Sequence, residues 1–110
     1  MVTFHDLAHK AFDEIYATYR HIEILENSTA EHPKGGTIET FNIDPASYDI
    51  QEIGQDFRDI LTKYCQENEI SIDVQDLSNL PNNFSLTSGN EVVFVNLGAV
   101  TCFVFIKLKD

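Results

Sequence analysis

His5 and His9 stand four residues apart, with Asp13 four further on, so a helix would set all three in one row. Two imidazoles and a carboxylate are donors suited to a divalent metal, and a metal-dependent enzyme is what such a row would serve. The pattern is incomplete, however. A zinc-protease helix carries glutamate directly after its first histidine as the general base, whereas Asp6 follows His5 here, with Leu7 and Ala8 before His9. The row also lies on the flank of an apolar stripe, where half-exposed polar residues are commonplace. The sequence therefore assigns no metal ligand and no cofactor.

Other patterns fall short for physical reasons. His32-Pro33-Lys34-Gly35-Gly36 has the glycines and lysine of a phosphate cradle, but such a loop joins a strand to a helix start. Here a helix precedes it and a strand follows, so it reads as a solvent loop. Cys65 falls on the inner edge of a helix and Cys102 on the apolar face of a strand, where thiols pack and stay inert. No Gly-x-Ser-x-Gly elbow seats a serine nucleophile. No catalytic residue is assigned, and the protein is expected not to be an enzyme.

The densest chemistry is acidic. Glu52, Asp56 and Asp59 fall within a helical sector of about 60°, and Glu67, Glu69, Asp73 and Asp76 follow shortly after. With Asp49, residues 49–76 hold eight acids against Arg58 and Lys63, a balance of −6 within a total of −11. Like charges four apart, such as Glu52 and Asp56, cost a helix ~0.2–0.5 kcal/mol, and Asp59 with Lys63 is the pair expected to relieve the row. Such a stretch is either a solvated face or a docking surface for a partner's lysines and arginines. The partner-binding candidates are accordingly Glu52, Asp56, Asp59, Glu67, Glu69, Asp73 and Asp76.

Those residues must be positioned by regular elements. Phe4, Leu7, Ala8, Ala11, Phe12, Ile15, Tyr19 and Ile22 recur at helical spacing and predict a first helix from Phe4 to about Leu25, capped by Thr3 with Asp6 in its first turn. Glu26 to Gly36 shows no period and reads as a long surface loop. Thr37 to Ile43 predicts a strand stopped by Asp44-Pro45. Ile50, Ile53, Gly54, Phe57, Ile60, Leu61, Tyr64 and Cys65 predict a second helix between Ser47 and Asn68, capped by Ser47 or Asp49.

Beyond it, Ile70, Ile72 and Val74 alternate with polar residues as a strand with one wet face does. After a turn cluster at Ser78 to Asn83, strands are expected at Phe84 to Thr87, Glu91 to Asn96 and about Ala99 to Leu108, forming an antiparallel meander. In the last, Val100, Cys102, Val104, Ile106 and Leu108 share one face and Phe103 and Phe105 the other, so both faces require cover. That marks a central strand, or one buried between helices and a partner chain, and makes a homo-oligomer one expectation. The order of elements predicts a single α+β domain over residues 1–110: one layer of mostly antiparallel sheet, about four to five strands, packed with two amphipathic helices.

Composition limits the function classes. A chain of 110 residues that is 43% hydrophobic, with eight Phe and four Tyr, has the material for one packed core. Eighteen acids against seven Lys and Arg repel phosphate backbones and anionic lipid, so direct nucleic-acid and membrane binding are not expected. Two cysteines without a leader-like segment predict free thiols and a cytoplasmic address. The same field attracts basic surfaces. The leading expectation is an inhibitor of the immunity or antitoxin kind, covering the substrate-binding surface of a basic partner enzyme such as a toxin nuclease, with Tyr48, Tyr64 and Phe84 as aromatic anchors. The alternatives are a nucleic-acid mimic that inhibits a defence enzyme and the metal-dependent enzyme built on His5, His9 and Asp13.

Overall fold

The computed structural model describes residues 2–77 and 83–109. Helix α1 spans Phe4–Thr18, and its apolar stripe of Phe4, Leu7, Ala8, Ala11, Phe12 and Ile15 is buried throughout. Thr3 caps it as expected. Its hydroxyl accepts from the Asp6 N–H at 3.1 Å and the Asp6 carboxylate accepts from the Thr3 N–H at 3.1 Å, satisfying two donors the helix would otherwise orphan. Helix α2, Ile50–Glu67, takes Asp49 as its cap, whose carboxylate accepts from the Gln51 N–H at 2.9 Å.

Helix α1 stops at Thr18 and does not reach Leu25; Tyr19 and Ile22 stay buried from the connection that follows. Most of the expected loop is instead strand β1, Glu23–Glu31, paired antiparallel to β2, Gly36–Asp44. All nine residues of β1 are exposed, because it is an edge strand and lies outside the helical cover. With both faces wet, no alternation is imposed on its side chains, and its backbone ladder to β2 holds it in place. At the hairpin turn Gly36 takes φ 109°, and a Cβ there would stand 2.1 Å from the Lys107 carbonyl oxygen, so glycine is required.

Strand β3 is confined to Asp73–Asp76; Ile70 and Ile72 pack against the core from the segment before it. Strands β4 (Asn83–Ser88), β5 (Glu91–Asn96) and β6 (Thr101–Leu108) form the expected meander, while residues 78–82 of the expected turn cluster lie outside the described residues. The sheet has six strands in the order β1-β2-β6-β5-β4-β3, every pair antiparallel. The class is therefore α+β, with β1 added to the five strands that alternation can reveal.

Strand β6 is central, between β2 and β5. Its Phe103 and Phe105 are buried beneath the helices with Phe57, Leu86, Val93 and Val95. Tyr19 donates to Asp56 and Tyr64 to Glu14, so moving toward the end of α1 means moving toward the start of α2, and the two run antiparallel. Ile38, Val92, Phe94, Cys102, Val104 and Ile106 alternate onto the opposite face and are half-buried. Val100 precedes the strand and is exposed, so it does not join that row. No helix among the described residues is long and apolar enough to cross a membrane.

Candidate functional site

The first turns of α1 set His5 and His9 over the sheet, and the β2–β6 register sets Glu39 opposite Phe105. His9 stacks on Phe105 with ring centroids 4.4 Å apart and 23° between planes, which fixes its orientation. Its Nε2 lies 3.0 Å from Glu39 Oε1. The His5 ring centroid is 4.6 Å from that of His9, and one donor atom from each of His5, His9 and Glu39 lies within 4.8 Å of the other two. All three residues are half-buried.

The row read from sequence is thus corrected in its third member: Asp13 is exposed and outside this group, and Glu39 stands in its place. Asp13 continues the helical row toward solvent, whereas Glu39 comes from the inward face of β2, which it shares with Phe41 and Ile43. A carboxylate alternating with two apolar residues on the buried side of a strand is the signal that could have found it. Burial pushes His5 below the ordinary imidazole value, helped by neighbouring His9 and opposed by Glu91, so His5 is neutral at neutral pH. Glu91 of β5 stands across from Lys107 of β6, and its Oε2 is buried without a hydrogen-bond partner among the described residues.

The acidic residues lie elsewhere. Asp56 accepts from the Tyr19 hydroxyl, and burial together with that bond pushes the phenol well above its ordinary value. Asp59 accepts from Gln55 Nε2 at 2.8 Å, and the expected Asp59–Lys63 pair is not among the ion pairs of the described residues. Asp76 pairs with Arg58 at 2.9 Å, so one of the seven candidates is matched by the molecule's own cation. Glu52, Glu67, Glu69 and Asp73 are exposed, and among the described residues none of them lies within ion-pair reach of a Lys or Arg.

Two of these acids sit where helix energetics opposes them. Glu67 is the last residue of α2, at the negative end of the dipole, and the last turn holds no basic residue. The helix closes with the Ile70 N–H donating to the Cys65 carbonyl at 2.9 Å and the Glu69 N–H to the Gln66 carbonyl at 3.3 Å. In this closure Glu69 takes φ 56°, a left-handed conformation in which glycine is the usual residue. Sequence spacing identified both residues as acidic, but the strained backbone is visible only in the structure.

The remaining expectations divide. Phe84 is buried and offers no anchor, while Tyr48 and Tyr64 are partly exposed. The Tyr64 hydroxyl is committed to Glu14, a bond that, with burial, pushes it up to about 12. Cys65 and Cys102 are both free, and burial pushes each thiol up, away from the reactive thiolate. Residues 32–35 turn the β1–β2 hairpin, with the Gly35 N–H donating to the His32 carbonyl at 2.9 Å, and are not a strand-to-helix phosphate loop. No protein-family model, curated protein or solved structure matches the chain.

Proposed function

We propose that this protein is a small acidic inhibitor of the immunity or antitoxin kind, which neutralises a basic partner enzyme by covering its substrate-binding surface. The observation that carries the reading is the end of α2. Glu67 opposes the helix dipole and Glu69 occupies a glycine conformation, yet both are exposed carboxylates without a cation partner among the described residues. Local stability gives no reason for acids there, and residues held against local preference concentrate at functional positions. Glu52, in the first turn of α2, and Asp73, at the start of the short edge strand β3, are further exposed carboxylates.

A nuclease must attract polyanions, so its substrate face is basic and a carboxylate-bearing cap is its electrostatic complement. Both thiols being free accords with action in the reducing cytoplasm. A second reading, mimicry of nucleic acid, draws on the exposed Glu23, Glu26 and Glu31, which carry negative charge to the opposite edge of the sheet. One exclusive partner favours the inhibitor; displacement of DNA from unrelated DNA-binding proteins favours the mimic.

The test is calorimetric titration against purified basic nuclease domains, with their cleavage activity followed in parallel. Nanomolar binding to one of them, weakening about tenfold or more as salt is raised several-fold, is the expected result. The joint substitution of Glu52→Gln, Glu67→Gln, Glu69→Gly and Asp73→Asn is expected to abolish inhibition. Binding that ignores salt and survives this variant refutes the reading.

A further inference from the structure

We propose that His5, His9 and Glu39 form a binding site for one first-row divalent transition metal ion, with Zn²⁺ the natural probe. The inference is independent of the acidic surface on α2 and rests on three observations. The donor atoms converge: two imidazoles and a carboxylate, from α1 and β2, lie within 4.8 Å of one another. Ligands of a small divalent ion at ~2.1 Å stand roughly 3–3.4 Å apart, and His9 Nε2 and Glu39 Oε1 are already at 3.0 Å. Side-chain rotation of two half-buried groups closes the remaining gap.

Second, the contact between His9 and Glu39 is close but is not a hydrogen bond of ordinary geometry: His9 Nε2 is buried and, among the described residues, lacks a partner meeting that geometry. A nitrogen lone pair and a carboxylate oxygen repel at this distance unless the nitrogen carries a hydrogen or a metal ion lies between them. Third, the surroundings supply what metal-bound imidazoles use. His9 is held by stacking on Phe105, and Glu91 is a second carboxylate whose field reaches His5 and whose buried oxygen lacks a hydrogen-bond partner among the described residues. Outer carboxylates orient a ligating histidine by accepting from its ring N–H, a role open to Glu91 because its buried oxygen is uncommitted among the described residues. Lys107, across from Glu91, opposes a cation, but it is exposed and its charge is screened.

The donor set selects the class of ion. Two imidazole nitrogens disfavour Ca²⁺ and Mg²⁺, which take oxygen, and one carboxylate with no thiolate suits Zn²⁺, Fe²⁺ or Co²⁺. Three protein ligands leave at least one coordination position for water or a small donor. The proposal concerns binding alone and commits to no reaction.

The full chain, stripped with a chelator and titrated with Zn²⁺ and with Co²⁺, tests it. One ion per chain with micromolar or tighter affinity is expected, with zinc-dependent shifts of the His5 and His9 ring ¹⁵N signals and none at His21 or His32. Glu91→Gln is expected to weaken Zn²⁺ binding by about 10-fold, the low end of the roughly 10–100-fold seen when outer partners are removed, and Glu39→Gln, which removes a direct ligand, by about 100-fold or more. Asp13→Asn is expected to leave affinity unchanged. Circular dichroism on each variant separates loss of ligand from loss of fold. Zn²⁺ affinity of a folded Glu39→Gln variant within threefold of the parent, shifts at His21 or His32 instead, or no 1:1 binding at micromolar Zn²⁺ overturns the proposal and leaves a proton between His9 and Glu39.

Discussion

Glu39 and Glu69 are both carboxylates near helices, and the fold treats them in opposite ways. Glu39 is half-buried, placed by the β2–β6 register beside Phe105 and met by His9 at 3.0 Å. Glu69 is exposed, without a cation among the described residues, and bound to a left-handed backbone with φ 56°. Packing accounts for where the first is held, since the β2–β6 register seats it opposite Phe105 and against His9. Local physics argues against the second, where glycine would relieve the backbone and a cation would suit the dipole. The contrast teaches that one cluster is a product of the core and the other a feature the core merely tolerates. Substitutions should therefore affect them in opposite directions.

The largest effect is expected from removing what supports the first cluster. Phe105 is 1% exposed and forms the floor on which His9 stacks. Phe105→Ala should cost about 3–5 kcal/mol in denaturant unfolding, through lost burial and the cavity left in the sheet's central strand. Zn²⁺ binding should weaken with it, while the charge at the end of α2 is untouched. A cost under ~1 kcal/mol would mean that neighbouring side chains refill the cavity and that His9 does not depend on this ring.

The two clusters also differ in how far a sequence can reveal them. His5 and His9 were legible because both lie on one helix, where spacing alone fixes their relation. Glu39 was not, because it lies thirty residues beyond His9 and is brought to it by strand order and register, which no local period encodes. The same reasoning covers the fold. The stripe of α1 and the two-faced β6 declared themselves because burial imposes a period on side chains. Strand β1 escaped because all nine of its residues are exposed and no burial pattern marks it. The acids of α2 could be counted from the sequence, but their commitments could not: Asp56 to Tyr19, Asp59 to Gln55 and Asp76 to Arg58 are tertiary or rotamer choices.

A smaller loss is expected at the start of α1. Thr3→Ala removes the hydroxyl that accepts from Asp6 N–H and should cost about 1 kcal/mol, measured by thermal or urea unfolding. Because His5 lies in that first turn, its amide should also exchange faster with solvent in the variant than in the parent. A cap that proves worthless would indicate that packing of Phe4 and Leu7 alone fixes the turn.

At the second cluster the sign reverses. Glu69→Gly should stabilise the fold by roughly 0.5–1 kcal/mol, since a left-handed conformation costs a side-chain-bearing residue ~1–2 kcal/mol, less the ~0.4–1 kcal/mol of extra freedom glycine has when unfolded. Glu67→Lys should add ~0.3–1 kcal/mol by placing a cation at the negative end of α2. Salt tells the two gains apart. The Glu67→Lys gain is electrostatic and should shrink as ionic strength rises to molar levels, where the screening length falls to about 3 Å. The Glu69→Gly gain is conformational and should persist. If both variants are more stable yet inhibit a basic partner less, the acids at this end of the helix are maintained for binding at the expense of the fold. If stability rises and binding is unchanged, the docking surface lies elsewhere, and Glu52 with Asp73 becomes the part of the negative surface to neutralise next.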